Sequence, residues 1–142
     1  MIVNSFILCS SATFTAASTV NITDAGIRDV HIQVADDWQP GQQFGFEIGA
    51  VLFAENQSTD TSQQPYLTVH LRAGKPENGS TAQVLLSGWQ DGNAGTKFIH
   101  EAFPLQFVLR EEGDYMLTVH PEGMDNDTAA AVYPLKISVI KA

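Results

Sequence analysis

The clearest pattern in the sequence is an alternation of apolar and polar positions between residues 103 and 119. In the first half the apolar side chains share one parity: Phe103, Leu105, Phe107 and Leu109. A period of two is typical of a strand with one buried face. The segment Glu111–Asp114 then predicts a turn, in which Gly113 is free to adopt a positive φ. A second strand follows, with Tyr115, Leu117 and Val119 on its buried face, so we expect an antiparallel hairpin with Tyr115 in the core.

Similar strand patterns recur along the rest of the chain, with turn-like breaks between them. The other predicted strands cover residues 2–10, 14–23, 27–34, 44–55, 66–72, 81–87 and 132–141. No segment shows the period of a capped amphipathic helix. Short strands at this spacing predict an all-β fold, an antiparallel β-sandwich that is Ig-like or jelly-roll-like, with about eight strands. We expect a single domain over residues 1–142.

Two of the predicted strands carry apolar residues on both faces. In the strand 44–55, Val51 and Phe53 lie opposite the main apolar parity, and the strand 2–10 is apolar on both parities. A second apolar face is covered either by another subunit or by other parts of the same chain, and the pattern does not distinguish the two. The glycines within 44–55 predict a bulge or a close approach of two backbones.

The composition limits the classes of partner. Sixteen acidic and seven basic residues give a formal net charge of −9. This sign argues against nucleic acids and anionic membrane surfaces, since both are bound through lysine and arginine. The acidic balance favours solubility, with a cation-binding or basic-partner surface as the alternative.

The N-terminal segment is interpreted as a first strand. It has no positively charged start, and its apolar run Phe6–Cys9 is too short for a signal peptide. No stretch approaches the ~20 apolar residues needed to span a bilayer. The cytoplasm or a virion is the default location. Cys9 is the single cysteine, and we expect it to be buried as a small apolar residue rather than to act as a reactive thiol.

The sequence carries no motif for nucleophilic catalysis or nucleotide binding, so we expect no enzyme. The four histidines never occur at the H-x-H or H-x-x-x-H spacing of a metal site, and we expect exposed positions for all of them: His31, His70, His100 and His120. One faint internal similarity exists between Tyr66–His70 and Tyr115–His120. Both segments place threonine and histidine on the outward parity.

Asp91 and Asn93 are the best candidates for a metal site. In the segment Asp91–Gly95 they place two oxygen ligands two residues apart, with glycine for a sharp turn, as at the start of a calcium loop. The usual glutamate of such a loop would fall at Ala102. Two further carboxylate loops, at residues 36–37 and 125–127, offer similar ligands. These residue types are equally common in ordinary turns, so calcium binding is a hypothesis with a simpler alternative.

Trp38 and Trp89 are candidates for ligand binding. Both lie in predicted loops, each next to glutamine and close to aspartate. Loop tryptophans on a β-sandwich can serve as stacking platforms for sugars. The alternative is that each indole closes one end of the core.

Two parts of the sequence resemble a family of small bacterial all-β proteins of unknown function. The first contains F-I-L-C at Phe6–Cys9 and V-N-I-x-x-A-G-I-x-D-V at Val20–Val30, and the second is E-E-G-D-Y-x-L-x-V at Glu111–Val119. The resemblance implies the same all-β fold. It implies no catalytic or binding residues.

The function we expect is that of a non-enzymatic structural or accessory protein that acts through protein–protein contacts. It would act as a homo-oligomer or as a component of a larger assembly, with a viral or phage particle among the settings that fit. No cofactor is expected. The alternative is a calcium-assisted carbohydrate-binding module that uses Trp38 or Trp89.

Overall fold

The computed structural model describes residues 1–15, 19–56, 64–74, 78–121 and 129–141. Within these residues it contains eleven strands: β1 (Ile2–Cys9), β2 (Ser11–Phe14), β3 (Val20–Thr23), β4 (Asp29–Val34), β5 (Phe44–Asn56), β6 (Tyr66–Arg72), β7 (Gly79–Leu85), β8 (Gln90–Asp91), β9 (Lys97–Leu109), β10 (Gly113–Pro121) and β11 (Ala131–Lys141). A short 3₁₀ turn spans Asn93–Gly95. No helix in the described ranges is long and apolar enough to cross a membrane.

The strands form two sheets that share one core. A four-stranded sheet has the order β1-β5-β9-β8, and a five-stranded sheet has the order β4-β11-β10-β6-β7. All neighbours are antiparallel except β4, which runs parallel to β11. In immunoglobulin-like sandwiches, strands A, B, E and D face strands G, F, C and C′, and the same order is seen here with β4 added beside β11. The predicted all-β sandwich is confirmed, and the strand order matches its Ig-like form.

The core lies between the two sheets and takes alternate residues from each. Leu105, Phe107 and Leu117 are at most 1% exposed, and they belong to one apolar cluster that includes both sheets. The predicted inward parity of both strands in the 103–119 segment is therefore confirmed. Tyr115 is 3% exposed, as expected for a core residue.

The predicted hairpin between residues 103 and 119 is wrong, although its two strands exist. β9 begins earlier, at Lys97, and pairs with β5 and β8. β10 pairs with β11 and β6, so the two strands lie in opposite sheets. The short connection between them crosses the sandwich, and Gly113 has a φ of 147° at its end. Alternation reports which face of a strand is buried, and two strands that face each other across a core produce the same pattern as two paired strands.

The predicted strand 14–23 is also wrong, because the chain reverses within it. β2 and β3 form a separate antiparallel hairpin that pairs Ser11 with Thr23 and Phe14 with Val20. Small and β-branched residues are found on both sides of the reversal, so no change in composition marks it. We call this element the β2–β3 hairpin.

The β2–β3 hairpin covers the second apolar face of β5. It contacts the outer side of β5 and β9, and the rings of Phe14 and Phe53 lie 6.1 Å apart, edge to face. Val51 and Cys9, on this outer side, are both 0% exposed. A β-carbon on Gly49 would lie 3.0 Å from the Cys9 carbonyl oxygen, which confirms the predicted close approach of backbones. The chain itself buries the face for which a second subunit was one explanation.

Two prolines lie within strands at positions that leave the ladder intact. The Val108 N–H donates to Ser80 Oγ (3.1 Å), away from β5. The backbone nitrogen of Pro104, four residues earlier on β9, points in the same direction as that of Val108, because backbone groups alternate along a strand. Likewise the Lys136 N–H donates to the Arg28 carbonyl, away from β10 (2.8 Å). The backbone nitrogen of Pro134, two residues earlier, therefore also points away from β10. Each proline removes a donor only from an edge, where unpaired donors invite association.

Candidate functional site

The outer face of the five-stranded sheet brings together residues that the sequence does not place near one another. We call it the five-strand face: the side chains of β4, β11, β10, β6 and β7 that point away from the core. Its centre is formed by alternate residues of three adjacent strands: Thr68, His70 and Arg72 on β6, Asp114, Met116, Thr118 and His120 on β10, and Val132, Pro134 and Lys136 on β11.

Three apolar residues form a patch on the five-strand face. Met116 lies directly opposite Pro134, and Val132 lies opposite the next outward residue of β10, Thr118. Met116 is 45% exposed and Val132 is 51% exposed. An outward sheet face usually carries polar residues, so adjacent exposed apolar residues on two paired strands make this patch a candidate contact surface.

A square of two threonines and two histidines lies beside the apolar patch. The antiparallel register pairs Thr118 with His70 and His120 with Thr68. The two imidazole rings are 5.0 Å apart between centroids, edge to face. His120 Nε2 lies 2.9 Å from Thr118 Oγ1. His70 Nδ1 lies 2.9 Å from the hydroxyl of Thr81 on β7.

His120 corrects the expectation that all four histidines are exposed. It is 6% exposed although it faces outward, and among the described residues its Nδ1 has no hydrogen-bond partner. His70 is half-buried. Burial lowers the pKa of His70, and the positive charge of Arg72 and the neighbouring His120 lower it further. The two Thr-x-His segments were the only signal for this pairing, and it is the strand order that makes them adjacent.

The five-strand face ends in a row of alternating charges. In register, Lys136 lies between Asp29 on β4 and Asp114 on β10. A shallow pocket of about 390 Å³ extends from this row past Met116 to Arg28. The face therefore combines an apolar patch, a half-buried polar square and a row in which both signs of charge are present.

The calcium candidates are placed in a turn that already holds a cation. Asp91 is on β8, and its carboxylate pairs with the ammonium group of Lys97. Asn93 opens the 3₁₀ turn, and its carbonyl oxygen accepts hydrogen bonds from the backbone and hydroxyl of Thr96 (3.1 and 2.7 Å). Calcium binding at Asp91 and Asn93 remains a prediction, and it would require the Lys97 ammonium to be displaced.

The other metal-ligand patterns add little to this candidate. In the ranges that the structure describes, no three side chains of histidine, cysteine, aspartate or glutamate lie close enough to hold an ion. Asp36 and Asp37 are exposed in a turn. The carboxylate loop at residues 125–127 lies outside the described residues.

Both tryptophans pack against the edge of the core. Trp38 and Trp89 are half-buried and contact the apolar cluster. The Trp38 ring lies edge to face on Phe44 at 5.9 Å, and its Nε1–H donates to the Gln42 carbonyl (3.3 Å). This is the arrangement expected of side chains that close the core, and the use of either indole as a sugar platform remains a prediction.

Comparison with known proteins adds no assignment to this geometry. No protein-family model matches the chain, and no curated protein matches it. The resemblance to small bacterial all-β proteins therefore stays a prediction.

Proposed function

We propose that this chain is a non-enzymatic structural or accessory protein that acts through protein–protein contacts, and that the five-strand face is its contact surface. The observation that supports this most strongly is the exposed patch of Met116, Val132 and Pro134 on the two paired strands β10 and β11. When a partner removes adjacent apolar side chains from water, their burial stabilises the complex.

The occupant we propose for this face is a second copy of the same chain. A two-fold axis through a sheet face makes the contact reciprocal: if one residue of the first copy contacts a second residue of the other copy, the reverse contact is also made. Lys136 lies between Asp29 and Asp114. A second copy turned in this way can therefore set its lysine against one of the two carboxylates. The part of β11 that β4 leaves uncovered is less suited to strand addition, because Pro134 removes a donor there.

The overall charge opposes self-association and makes it depend on salt. Each copy carries a formal charge of −9, so two copies repel each other. Raising sodium chloride from about 0.05 to about 0.5 M should therefore strengthen a homodimer, because salt screens the repulsion. A complex with a basic partner would weaken over the same range.

Sedimentation velocity over a concentration series tests the proposal. The wild-type protein should approach twice the monomer mass. Met116→Glu and Val132→Glu should each weaken the association about tenfold or more, since each would bury an unpaired carboxylate. Val108→Glu is the matched control, because Val108 is equally exposed, at 51%, on the outer side of the other sheet.

Two results would contradict the proposal. A wild-type protein that stays monomeric up to millimolar concentration at high salt has no self-contact through any face. Equal effects of Met116→Glu and Val108→Glu would show that a different surface is used.

A further inference from the structure

A pocket of about 320 Å³ lies on the outer side of the four-stranded sheet, at one end of the β2–β3 hairpin. Its lining combines aromatic and polar side chains from three elements: Phe14 and Thr15 at the end of β2, Gln90 on β8, and Phe98 and His100 on β9. We call it the aromatic pocket. It is separate from the five-strand face, which belongs to the opposite sheet.

The rings around the aromatic pocket face several directions. His100 lies between two phenylalanines, with its centroid 4.7 Å from Phe98 and 4.7 Å from Phe53. The ring planes are inclined by 51° and 63° in these two contacts. Phe14 reaches in from the hairpin and meets Phe53 edge to face. Three aromatic rings therefore line the pocket, those of Phe14, Phe98 and His100, and the face of an aromatic ring carries the negative part of its quadrupole.

A carboxylate lies beside these rings. The register of β5 and β9 sets Glu55 directly opposite Phe98, on the same outer side of the sheet as Phe53. Among the described residues, the Glu55 carboxylate has no ion-pair partner, whereas nearby Lys97 is paired with Asp91. The pocket therefore lies in a locally negative environment, and no unpaired cation of the described chain is placed to occupy it.

We propose that the aromatic pocket binds an alkylammonium head group, such as a quaternary amine or a methylated lysine side chain. Aromatic faces attract such cations through their quadrupoles, and a desolvated cation gains the most. Glu55, directly opposite the lining residue Phe98 on the neighbouring strand, supplies the opposite charge. The Gln90 amide is exposed at the rim and can bond a polar group on the ligand. A net charge of −9 raises the local concentration of cations around the whole protein.

The same chemistry can be presented by a free small molecule or by a partner polypeptide. A free quaternary amine would enter with its head group alone. A lysine side chain would bring its peptide backbone across the rim formed by Thr15 and Gln90. The two sources share the cation and differ in the contacts that surround it.

Titration of the ¹⁵N-labelled protein with choline, followed by amide and histidine NMR shifts, tests the site. Saturable shifts are expected at Gln90, Phe98 and His100. The neutral isostere 3,3-dimethyl-1-butanol has the same shape without the charge and should bind several-fold more weakly. Phe98→Leu and Glu55→Gln should each weaken choline binding roughly fivefold. Gln106→Ala, on the outward side of the same strand but outside the pocket, is the control.

Separate titrations with a short peptide containing trimethyllysine, and with its unmodified form, identify the source. Tighter binding of the methylated peptide than of choline assigns the site to a partner protein, and the reverse order assigns it to a free amine. The proposal is overturned if choline gives no saturable shift. It is equally overturned if the neutral isostere binds as well as choline, or if Glu55→Gln and Phe98→Leu both fold normally and bind as the wild type does.

Discussion

Tyr115 and Glu111 are joined across the connection at which the chain leaves one sheet and enters the other. The Tyr115 hydroxyl donates a hydrogen bond of 2.7 Å to the Glu111 carbonyl oxygen. Burial of the ring, together with the Glu111 carboxylate, raises the pKa of this phenol, which therefore remains a neutral donor. In immunoglobulin-like sandwiches a tyrosine at the start of strand F anchors the equivalent corner in the same way. Here the bond ties the start of β10 to the connection that follows β9.

Removing the Tyr115 ring should be much more costly than removing its hydroxyl. Tyr115→Ala should lower the free energy of unfolding by about 3–5 kcal/mol, since the ring fills the core. Tyr115→Phe should lower it by about 1 kcal/mol, the typical net value of one hydrogen bond. Urea unfolding measures both. A loss of less than about 1 kcal/mol for Tyr115→Ala would place the ring outside the core and contradict the register.

Cys9 should report on the β2–β3 hairpin. Its thiol is 0% exposed, and burial raises its pKa, so little thiolate is present at neutral pH. Labelling by a disulfide reagent should therefore be slow in the native protein. Phe14→Ala removes the hairpin's ring contact with Phe53 and should accelerate labelling, whereas Val108→Ala should leave the rate unchanged. Rapid labelling of the wild type would mean that the hairpin does not cover this face.

His70 should make stability depend on pH in the acidic range. Burial, then Arg72, then His120 lower its pKa below the ordinary histidine value of 6.5. The unfolded chain therefore binds a proton more readily than the folded one. The contribution of His70 to stability is fully present above about pH 6.5. It is lost as the pH falls from there through the pKa that His70 has in the folded protein.

Urea unfolding of His70→Gln at a series of pH values isolates this effect. The wild type should lose more stability than the variant between about pH 6.5 and pH 5. His31→Gln is a suitable control because His31 is exposed. Identical pH profiles for the wild type and His70→Gln would show that His70 ionises equally in the folded and unfolded states.

Calcium should have little effect on the thermal midpoint of the wild-type protein. The Lys97 ammonium already neutralises the Asp91 carboxylate, and a calcium ion would have to displace it. The measurement is thermal unfolding with millimolar calcium or with a chelator. A clear rise in the midpoint with calcium that is lost in Asp91→Asn would establish the loop as a calcium site.

Several local features were predictable because their causes lie within a few residues. The burial of Tyr115 and Leu117 follows from the period of two, and a left-handed backbone at Gly113 follows from a turn that requires it. The apolar surroundings of Cys9 indicated a buried thiol, and the glycines of β5 indicated a close approach of backbones, which occurs at Gly49.

The candidate sites were less predictable because they depend on which strands become neighbours. The two Thr-x-His segments lie about fifty residues apart, and only the pairing of β6 with β10 places His70 against His120. The aromatic pocket likewise needs β5, β9 and the hairpin together. No short window of sequence contains residues from all three.

The amino-acid sequence alone predicts the alternation of buried and exposed positions, and with it an all-β sandwich. That information is local, because each strand needs only to place its apolar side chains on one face. The tertiary structure alone decided that residues 103–119 cross between sheets instead of forming a hairpin, and that the β2–β3 hairpin covers Val51. The choice of partner strand depends on the packing of all the strands around one core, which no single strand's pattern encodes.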